Sequence, residues 1–322
     1  MKLTRSSIVV AALAGVLAGA LGLSGCAQPD ANDAGDPSLT VYATTGYLAD
    51  AVANIAPDAE VTTMVGPGAD PHTYQPSTRD IETIQRADVV FWNGLNLEAH
   101  MTDQLESLGE RQLAVGDALP VSLLLDWPET DGTGTSLHDP HVWNSPEAWK
   151  LVVDLVADKL GEVDPEHADE YLTNATAYAQ EIDAAAAEAE ALLASVPEPR
   201  ILITGHDAFN YFGHTYGFEV YATDFVSTDA ALSAGELSAL ASLIAEQRIP
   251  VIFQDNQANP QAIRSLQEAV RAQGWDVEIS DAELYADSLG GAAPVDTYLG
   301  AFLHNATAVA EALGEGPGDV NR

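Results

Sequence analysis

Short apolar runs alternate with longer amphipathic stretches along two parts of the chain, residues 39–145 and 198–313. The runs include LTVYAT (39–44), DVVFWNG (88–94) and RILITG (200–205). Short apolar runs of this kind, without strict alternation, are typical of strands buried on both faces of a parallel sheet. The stretches between them have the length and periodicity of helices. The pattern therefore predicts two α/β lobes, each with a sheet covered by helices.

The segment between the lobes, residues 146–197, has no strand-like run. One helix is predicted over 146–161. A second is predicted to start with Asp164 as N-cap and Pro165 at its first position, and to run to about Ser195. About thirty helical residues would span roughly 45 Å. The apolar positions are mostly alanine, which disfavours a coiled coil. The predicted fold is therefore two α/β lobes joined by one long backbone helix.

The first 25 residues have the features of a lipoprotein signal peptide. Lys2 and Arg5 precede an apolar stretch, residues 8–23, that is too short and too rich in glycine for a comfortable membrane span. The sequence LSGC, which ends at Cys26, resembles a bacterial lipobox. Cys26 is the single cysteine of the chain, which favours lipidation over a disulfide. We expect a lipid anchor at Cys26 on the outer face of the cell membrane, with an uncleaved transmembrane anchor as the alternative.

Charge narrows the classes of partner. The chain has 12 Lys and Arg against 49 Asp and Glu, a formal charge of −37, and loss of Lys2 and Arg5 with the signal peptide makes it −39. Such a charge disfavours nucleic acid and anionic lipid surfaces as partners. Residues 26–38 are small, polar and proline-bearing, as in a flexible tether, and residues 314–322 form a short tail.

Three of the eight histidines lie at strand ends or in rigid loops. His72 and His141 each end an Asp-Pro-His triplet, and His206 ends the strand-like run ILITGH. Open α/β sheets bind ligands beyond the carboxyl ends of their strands, so a cleft between the lobes would bring these imidazoles together. Neutral imidazole is the commonest metal ligand in proteins. The pattern therefore predicts a metal site shared by both lobes.

A fourth ligand is less well determined by spacing. Asp287 lies on a glycine-rich loop after the last strand-like run, but Asp255, Asp281 and Glu283 compete with it. His138 is adjacent to the second Asp-Pro-His loop and is a weaker candidate. The other histidines lie in helix-like segments and are interpreted as structural: His100, His167, His214 and His304.

Five motifs in order resemble the metal-specific solute-binding proteins of ABC transporters, the TroA-like or ZnuA-like family. They extend over about 39–312 and read DPHTYQPSTRD, NGLNLE, HDPHVWNSP, GHDAFNYFGHTYG and YADSLG with a later TYL and HN. The resemblance implies two α/β lobes, one long connecting helix and a metal ion bound by His72, His141, His206 and Asp287. It also implies a binding protein, not an enzyme. We expect a monomer that docks on a membrane permease whose cytoplasmic partner hydrolyses ATP.

Zinc is the favoured cargo, and manganese is the alternative. Family members tuned for manganese often have glutamate at the third ligand position, where this chain has His206. Three imidazoles and one carboxylate suit zinc. Against zinc, the long histidine-rich loop of many zinc members is missing before His141.

Two other functions are alternatives. A surface adhesin lipoprotein is compatible with the family, although the sequence has no motif for it. A zinc hydrolase is disfavoured because the chain lacks a His-Glu-x-x-His motif. The lipobox and the acidic, alanine-rich composition favour a Gram-positive cell surface.

Overall fold

Helices and parallel strands alternate in the computed structural model, which describes residues 38–130, 136–224, 232–257 and 260–314. The predicted signal peptide, the lipidation site Cys26 and nearly all of the tether and tail lie outside the described residues. Among the residues that are described, no helix combines the length and the apolarity needed to cross a membrane.

The first lobe is built on a four-stranded parallel sheet with the strand order β2-β1-β3-β4, followed by an antiparallel hairpin. The strands are β1 (Thr40–Ala43), β2 (Glu60–Thr63), β3 (Val89–Trp92), β4 (Gln112–Ala114), β5 (Asp126–Thr130) and β6 (Ser136–His138). The helices are α1 (Gly46–Ile55), α2 (Thr78–Arg86) and α3 (Thr102–Glu106). Every residue of the central strand β3 is buried, as predicted for a strand covered on both faces.

Two helices, α4 (Pro146–Val163) and α5 (Ala168–Leu193), follow the first lobe. The predicted start of the long helix at Asp164 and Pro165 is wrong, because α5 begins at Ala168. The Asp164 carboxylate does not cap the helix backbone. It accepts hydrogen bonds from His167 Nδ1 and the Tyr171 hydroxyl, both at 2.7 Å, and so stabilises the turn between the two helices. The 26 residues of α5 span about 39 Å.

The second lobe contains two pairs of parallel strands, which a hydrogen bond from Phe253 N to Ile203 O (2.8 Å) connects. The strands are β7 (Ile201–Thr204), β8 (Glu219–Ala222), β9 (Val251–Ile252) and β10 (Glu278–Ile279). The helices are α6 (Asn210–Tyr216), α7 (Ala234–Gln247), α8 (Pro260–Ala272) and α9 (Tyr298–Gly314).

Helix α5 connects the lobes through its buried face. That face carries Tyr171, Tyr178, Ile182 and Leu193 with alanines between them, and it packs against α1, α4 and α9. These side chains belong to one apolar cluster that also contains residues of both lobes. The Tyr178 hydroxyl donates to Asp50 Oδ2 (2.6 Å) and so fixes α5 to α1. The predicted fold, two α/β lobes with a backbone helix, is confirmed.

Candidate metal centre

Four side chains from the two lobes meet in one buried cluster: His72, His141, His206 and Asp287. Each offers one possible ligand atom, and these atoms all lie within 4.8 Å of one another. His72 is 4% exposed and the other three are 0% exposed. The structure thus brings together the four residues that the sequence predicts as ligands.

All four residues lie in loops, outside the helices and strands. His72 follows β2, and His141 lies between β6 and a short 3-10 turn that leads into α4. His206 lies two residues beyond β7, and Asp287 lies in the loop between β10 and α9. The cluster therefore occupies the inter-lobe position expected for a ligand site in an open α/β fold.

The two Asp-Pro-His triplets form the same local turn. Asp70 Oδ1 accepts the backbone N–H of His72 at 2.8 Å, and Asp139 Oδ1 accepts that of His141 at 2.9 Å. An aspartate that bonds the backbone two residues on forms an Asx turn, and the intervening proline fixes φ. The repeated triplet therefore sets the backbone of each histidine locally.

Asp139 also orients the ring of His141. Its Oδ1 lies 2.7 Å from His141 Nδ1, and Asn210 Nδ2 donates to its Oδ2 at 3.0 Å. Donation from Nδ1–H leaves Nε2 as the ring atom that faces the cluster and can bind a metal, which is the usual role of a carboxylate behind a metal-binding histidine. Asp139 was not predicted as part of the site, although its place in a repeated triplet is a usable signal.

Spacing between the facing atoms matches a small coordination sphere. His141 Nε2 lies 3.3 Å from His72 Nε2, 3.2 Å from His206 Nε2 and 3.2 Å from Asp287 Oδ1. Asp287 Oδ2 lies 3.1 Å from His206 Nε2 and 3.8 Å from His72 Nε2. Ligands bound at about 2.0–2.1 Å in a tetrahedron are separated by roughly 3.3–3.4 Å. The observed separations therefore fit one ion of zinc's size.

The Asp287 carboxylate lacks the hydrogen bonds that a buried charge needs. Nε2 atoms of His141 and His206 approach within 3.2 Å, yet among the described residues no donor is well directed at either oxygen. The attraction is therefore through charge rather than through directed hydrogen bonds. A buried carboxylate without well-directed donors is costly, and a bound cation would remove that cost. The donor set and this carboxylate both fit a metal ion.

The pKa values of the clustered side chains shift in different directions. Burial opposes a charge on His141, but the carboxylates of Asp139 and Asp287 outweigh it and raise the pKa of His141 to about 10. Burial lowers the pKa of His72 to about 3. Burial also opposes ionisation of Asp287, yet His206 and His141 hold the pKa of Asp287 well below its usual value. These shifts favour a charged His141 beside an ionised Asp287.

The competing acids and His138 do not join the cluster. Asp255 is buried, but its Oδ2 accepts the backbone N–H of His206 at 2.6 Å and so fixes that loop. Asp281 and Glu283 are exposed. The histidines interpreted as structural also lie outside the cluster: His100, His167, His214 and His304.

An aromatic wall backs the Asp287 loop. Trp143 Nε1 donates to Ala286 O at 2.8 Å, and the Tyr47 hydroxyl donates to the same oxygen at 3.0 Å. The two rings stack with centroids 4.9 Å apart, and the Trp143 ring also lies edge-on to His141 at 5.3 Å. Side chains of the first lobe therefore set the position of the residue beside Asp287.

A family model described as ZnuA, the periplasmic component A of a zinc-uptake complex, matches residues 41–312. The chain is 35% identical to the manganese-binding lipoprotein MntA of Bacillus subtilis, over 94% of this chain and 98% of that one. It is 32% identical to the iron-binding protein YfeA of Yersinia pestis, over 85% of this chain and 86% of that one.

A solved structure shows the same similarity to a metal-binding protein. The periplasmic zinc-binding protein TroA of Treponema pallidum superposes with a TM-score of 0.81 at 36% identity, over 86% of this chain and 99% of that one. These proteins are named for binding manganese, iron and zinc, respectively. The comparisons therefore agree on metal binding and differ on the metal.

Proposed function

This chain belongs to the ZnuA family of metal-binding transport components, and on that premise we propose that it captures a divalent transition metal ion outside the cytoplasm and delivers it to an ABC permease. The observation that carries the proposal is the buried cluster of three imidazoles and one carboxylate from two lobes. A site whose ligands come from different lobes can open and close by small movements between them. A carrier must both hold and release its cargo, and this arrangement permits both.

In this proposal the ion is bound by His72, His141 and His206 through Nε2 and by Asp287 through its carboxylate. Burial of all four side chains favours capture over hydrolysis. A hydrolytic zinc keeps an open coordination position for water and needs a general base beside it.

Zinc is the proposed cargo, with manganese as the alternative. Family membership does not choose between them, because relatives at similar identity are named for either metal. Three nitrogens and one carboxylate, with His141 and Asp287 each 3.1–3.8 Å from the other ligand atoms, suit a four-coordinate zinc ion. Manganese prefers more oxygen ligands. Most nitrogen-rich sites bind zinc more tightly than manganese in vitro, whichever metal is the cargo. Metal uptake by cells is therefore a better test of the cargo than the affinity of the isolated protein.

The proposed location is the outer face of the cell membrane, through a lipid anchor at Cys26. The partner would be a membrane permease with a cytoplasmic ATPase, approached by a monomer. Related proteins named as lipoproteins support the anchor. Mass spectrometry of the membrane-extracted protein tests it, because a diacylated Cys26 peptide is expected and an unmodified one would contradict the proposal.

Calorimetric titration of the chain without residues 1–25, carrying Cys26→Ser, tests metal capture. One zinc ion per chain is expected. Asp287→Ala should weaken binding by more than about 100-fold, beyond the range typical of residues behind a ligand. Asp281→Ala is the matched control, because this exposed acid lies six residues before Asp287 and outside the cluster. Absence of stoichiometric binding, or equal losses in the two variants, would contradict the proposed function.

A further inference from the structure

Gln257, in the loop after β9, contacts both of the loops that carry His72 and Asp287. Its Nε2 donates to Ala69 O at 3.0 Å, three residues before His72. Its Oε1 accepts the backbone N–H of Asp287 at 3.0 Å. A single side-chain amide therefore connects a ligand loop of the first lobe to the ligand loop of the second.

Ser288 completes this connection. Its buried hydroxyl oxygen accepts Gln257 Nε2 at 3.1 Å and the backbone N–H of Gly68 at 2.9 Å. Asn256 Nδ2 also donates to this oxygen at 3.0 Å, and Asn256 Oδ1 accepts the N–H of Ala286 at 3.2 Å. Gly68 lies in the first lobe and the other residues lie in the second, so the contact again crosses between the lobes.

The position of Gln257 differs from that of the aromatic wall. Trp143 and Tyr47 hold Ala286 from the buried side and are themselves in the core. Gln257 and Ala69 are half-buried, and Gly68 is exposed. The amide therefore lies at the rim of the cluster, where separation of the two ligand loops would begin and where hydrogen bonds open to solvent most easily.

We propose that Gln257 is a positioning residue that latches the His72 loop to the Asp287 loop and thereby sets the rate at which the bound ion leaves. The inference rests on the proposed function. An ion held by His72 and Asp287 together leaves only after these loops separate, and separation breaks the bond from Gln257 to Ala69. The four ligands are buried while this bond is in place, so the bond must open before a bound ion can leave.

The test uses zinc release from the chain without residues 1–25, measured by stopped-flow mixing of the loaded protein with excess EDTA. Gln257→Met keeps the length of the side chain and removes its hydrogen bonds. Release should accelerate about tenfold, the factor that corresponds to one lost hydrogen bond.

Gln267→Met is the matched control. Gln267 Nε2 donates to Val277 O at 2.9 Å, an amide-to-carbonyl bond that lies wholly within the second lobe. Its release rate should equal that of the wild type. Equal acceleration in both variants would show general destabilisation and overturn the latch, as would an unchanged rate in Gln257→Met.

Gln257→Glu separates the latch from simple electrostatics. It adds a negative charge near the ion, which by attraction alone would slow release. It also sets a carboxylate oxygen against Ala69 O, so the latch predicts faster release, and slower release would overturn it. A wild-type protein that binds no zinc would overturn the proposed function, and the latch with it. Stoichiometric zinc binding with no change in release would overturn the latch alone.

Discussion

Metal capture should release protons, and the number follows from the cluster. With its pKa raised to about 10, His141 carries two ring protons in the metal-free protein at neutral pH. One of them, on Nδ1, is directed at Asp139 (2.7 Å), and the other, on Nε2, faces Asp287 (3.2 Å). A metal ion needs the Nε2 lone pair, so it must displace the second proton.

This displacement fixes the sign and size of the pH effect. Affinity should fall about tenfold for each pH unit between pH 9 and 7, or roughly 2.7 kcal/mol in all. Burial opposes a charge on His206, but the neighbouring Asp287 outweighs it and raises the pKa of His206. The pH dependence of the affinity should therefore steepen toward two displaced protons at lower pH. The pKa of His72 is about 3, so His72 adds nothing in this range.

Zinc affinity, measured by chelator competition from pH 6 to 9, gives the slope. Calorimetry in buffers of different ionisation enthalpy counts the protons independently. Asp139→Asn should flatten the slope between pH 7 and 9, because it removes one of the two carboxylates that raise the pKa of His141. Asp70→Asn is the matched control, since Asp70 makes the same backbone turn before His72, and its slope should stay near one. A wild-type slope near zero over pH 7–9 would show that metal binding displaces no proton from His141.

Three further predictions concern selectivity and stability. His206→Glu should shift the ratio of zinc to manganese affinity toward manganese by at least about tenfold in competition titration, because a carboxylate replaces an imidazole. Gly290→Ala would place a Cβ 2.5 Å from Val295 Cγ2 and should lower the free energy of unfolding, measured in urea, by about 1–3 kcal/mol. Gly291→Ala is the control, because its Cβ would meet nothing closer than 3.8 Å, and its free energy of unfolding should change little. Burial raises the pKa of Glu98 to about 7. The stability that its protonated form contributes is therefore fully present below pH 4.5 and is lost as the pH rises through 7. Glu98→Gln should remove this pH-dependent loss from the free energy of unfolding, measured from pH 5 to 8.

Local sequence determines much of the fold and only part of its detail. Ser77 and Asp80 form the capping box that their spacing indicates at the start of α2. The start of α5 differs from the prediction because Asp164 bonds His167 and Tyr171 instead of the helix backbone. The hairpin β5–β6 was not predicted, since its strands are short and one contains Pro128, which reads as a strand breaker.

The candidate site shows the same division between local and tertiary information. His72 and His141 were recognisable because the Asx turn of each Asp-Pro-His triplet is local. Spacing alone could not separate Asp287 from Asp255, because the difference depends on tertiary contacts. Asp255 is occupied by the backbone of His206, whereas the side chain of Asp287 is directed among the three imidazoles.

One metal ion is proposed to be bound by His72, His141, His206 and Asp287. Anomalous diffraction at the zinc absorption edge, from crystals of the zinc-loaded chain, tests it most directly. One strong peak is expected about 2.0–2.1 Å from Nε2 of His72, His141 and His206 and from a carboxylate oxygen of Asp287. A peak elsewhere, for example among exposed acids, with none between these side chains, would contradict it.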